Sequence, residues 1–435
     1  MSISRRGFLN IGSTTALALL TGCGEATESL LTQIKNRPQR RDITTLGDNH
    51  PILAAWRDAI QQMQALPMSD PRNWTNQANI HNLHCPHGNW LWLPWHRAYL
   101  YYLEEICREL TGMQEFALPY WNWTKDPQIP AVFWGDANNP LWHQNRTATA
   151  NSMTSQNVVG ASAVDGLLDE DNFMVFGSGS IGANANQRTF VAYGTLEGTP
   201  HNYIHSFVGG TMSIFTAPLD PVFWAHHNMV ELCWVDWNLE RGHPNTNDSA
   251  WMQRVFEDFV DGEGDPVSIS VEDTLLMPLL GYRYDATVAG NAIADLGVLS
   301  EAQLGAMRQF LLLGATIAFE NMMSLERRGP MTVELSSPGV VKLDGERALQ
   351  VLAQQGDARL LLILDGVSLD HDEDFFVRVF VDKPDAGPST PTTDPGYVGS
   401  FAFFAGAHVM MHGHGSAGHG HGDEPGRSGG RFVLD

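Results

Sequence analysis

The chain has 435 residues, 43% of them hydrophobic, and a formal net charge of −23. That length suits two or three domains, and that apolar content excludes a disordered chain. The acidity argues against a nucleic-acid partner, since a phosphate backbone rewards clusters of Lys and Arg that are absent here.

In chain order, Ser4-Arg5-Arg6-Gly7-Phe8-Leu9 has the look of a twin-arginine export signal, followed by an apolar stretch from Thr14 to Leu20 too short to span a bilayer. Leu20-Thr21-Gly22-Cys23 follows a lipobox pattern. Residues 1–30 are therefore set aside as an export segment. The product is a periplasmic or cell-envelope lipoprotein acylated at Cys23, or a secreted protein cleaved nearby, and a membrane enters only through that anchor. Three further cysteines are too few for a disulfide framework, and Cys107 and Cys233 read as small buried hydrophobes.

Ile52, Leu53, Trp56, Ile60, Met63 and Leu66 recur at helical spacing and predict a helix over 51–66, ending at Pro67. Asp70 to Trp74 reads as a turn. A long helix is expected from Pro94, with Leu100, Leu103, Ile106 and Leu110 on one face and Gly112 past its end. Residues 124–190, rich in Gly, Asn, Ser and Asp, read as long loops of the kind that rim a site. Further helices are expected after Pro200 and after Pro221, and a helical connector over 300–325. Beyond Pro330 the pattern turns to short strands at 331–335, 348–353, 360–364, 375–381 and 398–404, with another opening at Arg431, which suggests an antiparallel sandwich. The His408–His421 tract reads equally as a collector of metal ions or as a solvated loop.

Six histidines fall in two groups, His81, His87 and His96, then His201, His205 and His227. Imidazole is the ligand that copper, zinc, iron and nickel share, so two such triads suggest two metal ions held close together. His201 and His205 stand four apart, one helical turn on one face.

Several segments carry a resemblance. Gln77-Ala78-Asn79-Ile80-His81, Cys85-Pro86-His87, Leu93-Pro94-Trp95-His96-Arg97, Pro119-Tyr120-Trp121-Asn122-Trp123, Pro200 to His205 and Asp220 to His227 resemble the copper A and copper B motifs of tyrosinases, catechol oxidases and molluscan haemocyanins. The resemblance implies a mainly α catalytic domain over 40–290, a four-helix bundle with long loops around a dicopper site. A connector over 291–330 and a smaller all-β sandwich over 331–435 would follow, similar to the domain that covers the site in latent plant enzymes. Phe403 and Phe404 are the guesses for a side chain it inserts. Gly281-Tyr282-Arg283-Tyr284 resembles the Tyr-x-Tyr element that closes the catalytic domain.

Copper is preferred to zinc because Asn202 follows His201 where a hydrolytic zinc helix carries Glu, and because the triads are all imidazole. By resemblance, copper A takes His81 (in preference to His84), His87 and His96. Copper B takes His201, His205 and His227 (in preference to His226), with Phe223 packing on the His227 imidazole. Cys85 matches the cysteine that forms a thioether to a ligand imidazole, here His87. Glu197 and Asn202 match residues that position a base for the phenolic proton; an ordinary carboxylate at a helix start is the alternative for Glu197. The expected activity is oxidation of o-diphenols to o-quinones by dioxygen, with hydroxylation of monophenols as an extension. An o-aminophenol oxidase, a haemocyanin-like oxygen binder and a di-zinc hydrolase are the alternatives. One departure stands out: Glu231 takes the place of the family's Asp, and Leu232 that of its Arg.

Overall fold

The computed structural model describes residues 37–275 and 280–291, then 362–367, 375–380, 397–403 and 430–434, with a few positions between 383 and 396. The export segment with Cys23, the connector, the strands expected at 331–335 and 348–353, Phe404 and the His408–His421 tract lie outside the described residues.

Five helices set the frame. Helix α1, Pro51–Ala65, starts with proline in its first turn and with the His50 ring accepting from the Ile52 amide. Its buried face is Ile52, Leu53, Trp56, Ile60 and Met63, the stripe expected from the spacing. Helix α2, Trp74–His84, is capped by Asn73, whose side chain accepts from Thr75 N at 2.9 Å, and it stops at Cys85 because Pro86 disfavours helix before it. Helix α3, Trp92–Thr111, ends on Gly112 at φ 69°, a left-handed cap that suits glycine. Every residue from Trp92 to Glu104 is buried, so α3 is the central helix, with α1 and α5 packed against it.

Helix α4, Asn202–Val208, follows an irregular turn over Glu197–His201, in which Thr199 is extended at φ −161°. Regular helix therefore begins just after Pro200. Helix α5, Val222–Val235, is buried along its whole length and opens beside Asp220, whose carboxylate accepts from Val222 N and pairs with Arg146 at 2.6 Å. The expected loop region over 124–190 is mostly irregular, with short helices at Gln156–Val159, Ala161–Leu168 and Phe173–Phe176. Cys107 and Cys233 are fully buried in the apolar core.

Strand β1, Gln39–Arg40, pairs in parallel with β4, Arg283–Tyr284. Between them in the chain, β2 (Val255–Val260) and β3 (Pro266–Ser270) form an antiparallel hairpin that the sequence reading did not anticipate. Its tip is closed by Asp261, which accepts from the amides of Glu263 and Asp265. Phe259 docks the hairpin on the core, 5.2 Å from the Trp95 ring. In the C-terminal part, β5 (Leu362–Val367) pairs antiparallel with β8 (Gly430–Leu434), and β6 (Phe375–Phe380) with β7 (Tyr397–Phe403). Strand β7 runs beside Glu197–His201 and α4. Among the described residues no helix is long and apolar enough to cross a membrane.

Candidate metal centre

Four helices bring the histidines together. His81 comes from the last turn of α2, His87 from the turn after it, His96 from the start of α3, His201 and His205 from around α4, and His227 from α5. Two buried groups result, His81, Cys85, His87 and His96 in one, and His201, His205, His226 and His227 in the other; within each, candidate ligand atoms lie within 4.8 Å of one another. The groups adjoin, since the His96 and His227 rings stack at 4.4 Å and 13°, and His87 lies 5.5 Å from His201.

Five of the six rings are oriented by what their Nδ1 meets, and the sixth, His227, by the Phe223 ring packed on it. His81 Nδ1 reaches the Phe215 carbonyl at 2.7 Å, His96 Nδ1 the Trp92 carbonyl at 2.7 Å and His205 Nδ1 the Met212 carbonyl at 2.6 Å. His87 Nδ1 donates to Glu197 Oε1 at 2.8 Å, and His201 Nδ1 to Asn202 Oδ1 at 2.9 Å. A partner that accepts from Nδ1 leaves Nε2 deprotonated and free to ligate. The Nε2 atoms of His81, His96 and His201 are buried and meet no hydrogen-bond partner, an arrangement that is costly unless something else satisfies them. His205 Nε2 and His227 Nε2 stand 3.2 Å apart. Two nitrogens about 2.0 Å from one tetrahedral ion would be separated by about 3.3 Å. The donor set fits two imidazole-bound ions.

Burial, with repulsion between neighbouring imidazoles, holds His81, His96, His201 and His227 well below the ordinary histidine value, and burial likewise holds His205 down at about 3. These rings are neutral, the form that binds metal. His87 differs. Burial presses it down, but Cys85 beside it and the Glu197 carboxylate outweigh this and bring it to about 10.

Of the two pairs of alternatives, one separates in space and the other does not. His84 points outward, 45% exposed, and meets Asp258 at 3.2 Å, while His81 lies in the cluster. His226 sits in the second cluster beside His227, stacked on the His201 ring at 5.4 Å, so the pair contributes two imidazoles to that pocket. Phe223 packs on His227 at 4.0 Å and meets His81 edge-on at 5.0 Å, wedged between the two groups. Glu197 is fully buried and accepts from His87, from Gly88 N at 2.9 Å and from Ser178 Oγ at 2.6 Å. Gly88 turns there at φ 64°, where a Cβ would lie 2.2 Å from the Phe190 ring. Sequence reasoning missed Ser178 and Phe215. Phe215 edges on both His81 and His87, at 6.0 and 5.8 Å.

Glu231, the family departure, anchors a buried charge network. It accepts from Arg97 Nε at 2.8 Å, from Arg40 Nη1 at 3.3 Å, from Tyr282 at 2.9 Å and from Tyr284. Arg97 follows His96 and Glu231 lies four residues after His227, so the pair ties the two metal helices together. Arg97 also stacks on Trp234, 3.6 Å from its ring centroid. Two guanidiniums, those of Arg40 and Arg97, thus converge on the one Glu231 carboxylate.

Residues 62–158 and 133–240 match the model of the common central domain of tyrosinase, a stretch that holds both histidine groups. Over residues 62–240 the chain is similar to the tyrosinase family. It is 30% identical over 299 residues to a tyrosinase of Hahella sp. (strain CCB-MM4), covering 56% of this chain and 62% of that one. A chloroplastic polyphenol oxidase of Malus domestica is 26% identical over 399 residues, covering 81% of this chain and 67% of its own. The solved structure of latent apple tyrosinase, 24% identical, superposes with a TM-score of 0.62 over 85% of this chain and 86% of that chain, a likeness of fold. The chain spans less than two thirds of the Hahella tyrosinase's length.

Proposed function

We propose that the chain is a copper-dependent phenol oxidase that uses dioxygen to oxidise o-diphenols to o-quinones. The reading is carried by two adjoining buried imidazole groups in a chain with a tyrosinase central-domain match, five of the six rings being held at Nδ1 and several Nε2 atoms being left for metal. His81, His87 and His96 would hold one copper and His201, His205 and His227 the other. When bound, the pair would supply a place for dioxygen and two one-electron acceptors for the diphenol. The chain supplies the rest. Phe223 fixes the rings on either side of it, Glu197 and Asn202 set His87 and His201, and the Trp92 and Trp95 rings beside His96 exclude water. For monophenols, the same Glu197 and Asn202 are the candidates to position a base for the phenolic proton. Cys85 is placed in the reading as the thioether partner of His87, with dioxygen taking the two hydrogens lost.

The residues beyond 331 are proposed as a smaller all-β sandwich that shields the site and keeps the enzyme latent; β7 beside Glu197–His201 and α4 supports this. Export by the twin-arginine route, with Cys23 lipidated or the protein released, remains part of the proposal.

Copper-loaded protein is expected to hold two ions per chain, to gain an oxygen-dependent near-ultraviolet absorption and to oxidise catechol. One ion per chain in active material, or a different element, would sink the proposal. In the same sample, a Cys85 peptide that keeps both hydrogens would refute the thioether.

A further inference from the structure

A cavity of about 230 Å³ opens to the surface on the outer side of α2, lined in part by Leu83, His84, Arg188, Arg254 and Asp258. Its walls touch residues that touch the first imidazole group. Asp258 accepts from Trp95 Nε1 at 2.9 Å, and the Trp95 ring lies 5.0 Å from His96 and 6.0 Å from His81. Arg188 sits over the Phe215 ring, 5.3 Å from its centroid, and that ring also meets His81 and His87.

The charges of this cavity are unbalanced. Arg188 donates to the Leu83 carbonyl and Arg254 to the Ala183 carbonyl, each at 3.2 Å, and among the described residues neither meets a carboxylate. Asp258, in the same wall, is engaged by Trp95, by Gln187 at 2.8 Å and by His84 rather than by either guanidinium. The chain carries 49 acidic residues against 26 basic ones, so two guanidiniums that pair with no carboxylate, beside the single carboxylate of Asp258, run against its composition. Guanidinium forks match a carboxylate in geometry and charge. Leu83, 55% exposed, adds an apolar wall of the kind an aromatic acid needs.

We propose that this cavity is a carboxylate-binding subsite that selects phenolic acids as substrates. The inference rests on the phenol-oxidase reading for the chemistry, but not for the binding. Arg188 and Arg254 hold the carboxylate, and the ring of the acid extends past Phe215 toward the imidazoles. The strongly acidic remainder of the surface repels the same ligands, so this cavity is where such an acid gains rather than loses electrostatic energy.

Two measurements test it. In metal-free protein, 3-phenylpropionate, which cannot be oxidised as a phenol, is expected to show saturation transfer that is lost in the Arg188→Gln/Arg254→Gln variant. In copper-loaded protein, the kcat/KM ratio of 3-(3,4-dihydroxyphenyl)propionate to its methyl ester is expected to fall about tenfold in that variant, one charge-assisted contact's worth. Arg188→Glu should turn the preference toward the cationic dopamine. Unchanged phenylpropionate binding, or an acid-to-ester ratio that does not move, overturns the subsite. If neither diphenol is oxidised by the wild type, the phenol-oxidase reading fails, and the binding measurement alone decides the subsite.

Discussion

Glu197 illustrates how much one buried side chain is asked to do. It has no exposure to solvent, and its two oxygens are met by the His87 ring, the Gly88 amide and the Ser178 hydroxyl. An acceptor from a ligand's Nδ1 fixes both the tautomer and the orientation of that ligand, and its loss typically costs 10–100-fold in metal affinity. Glu197→Gln keeps the shape but puts an amide donor against two other donors. Copper retention in the variant, measured by titration with a chelator, is expected to weaken by about tenfold or more, with catechol turnover falling and tyrosine turnover falling further. Normal copper retention with a loss confined to tyrosine would assign Glu197 to the phenolic proton alone, and equal losses would remove it from that step. The distinction was out of reach of the sequence. Glu197 and His87 are 110 positions apart, and only folding shows that they touch. The same holds for His81 and His84, three residues apart on one helix, where burial rather than spacing separates the inward ring from the outward one.

At the scale of elements, helices α1, α3, α4 and α5 were legible because Pro51, Gly112, Pro200 and Pro221 mark their ends, whereas α2, capped by Asn73 and stopped before Pro86, was not expected. The hairpin β2–β3 was not. Val255-Phe256-Glu257-Asp258-Phe259-Val260 breaks strict alternation, since Asp258 is turned toward Trp95 by a hydrogen bond that the sequence does not reveal. The flanking Asp261-Gly262-Glu263-Gly264-Asp265 was the available signal, a turn between two runs of β-branched and aromatic residues. Strand β7 is the element on which the proposed shielding role rests. It lies against the segment carrying Glu197 and His201 and against α4, so whatever reaches those residues from that side must pass it. Its partner in the described residues is β6 alone among the longer pairings, and a two-stranded ribbon holds its place largely through packing. Mild detergent, at a concentration that leaves far-ultraviolet circular dichroism intact, should therefore raise catechol turnover several-fold. An unchanged rate would remove the shielding role from β7.

The whole molecule stores a linkage between fold and proton. Six buried imidazoles, those of His81, His96, His201, His205, His226 and His227, are held below the ordinary value, mainly by burial. The unfolded chain binds protons at these groups from about pH 6.5 downward, while the folded metal-free chain does not, so acid draws the equilibrium toward unfolding. For one such group the loss at pH 5.5 is about 1.4 kcal/mol, and several acting together amount to a substantial part of a domain's stability. His87 runs the other way. Its folded value near 10 gives stability that is complete below pH 6.5 and is lost as the pH rises toward 10. The metal-free protein should accordingly be most stable slightly above pH 7, where proton uptake by the seven imidazoles of the unfolded chain balances the one proton that His87 holds in the fold. Urea midpoints of metal-free protein are expected to fall between pH 7 and 5.5, a range above the titration of ordinary carboxylates. Copper, which binds the neutral rings, should raise the midpoint most at neutral pH and lose that advantage on acidification. A midpoint that stays level from pH 7 to 5.5 in the absence of metal would mean that these rings are solvated or already charged, and the cluster would not be the dry, preformed cage described for copper.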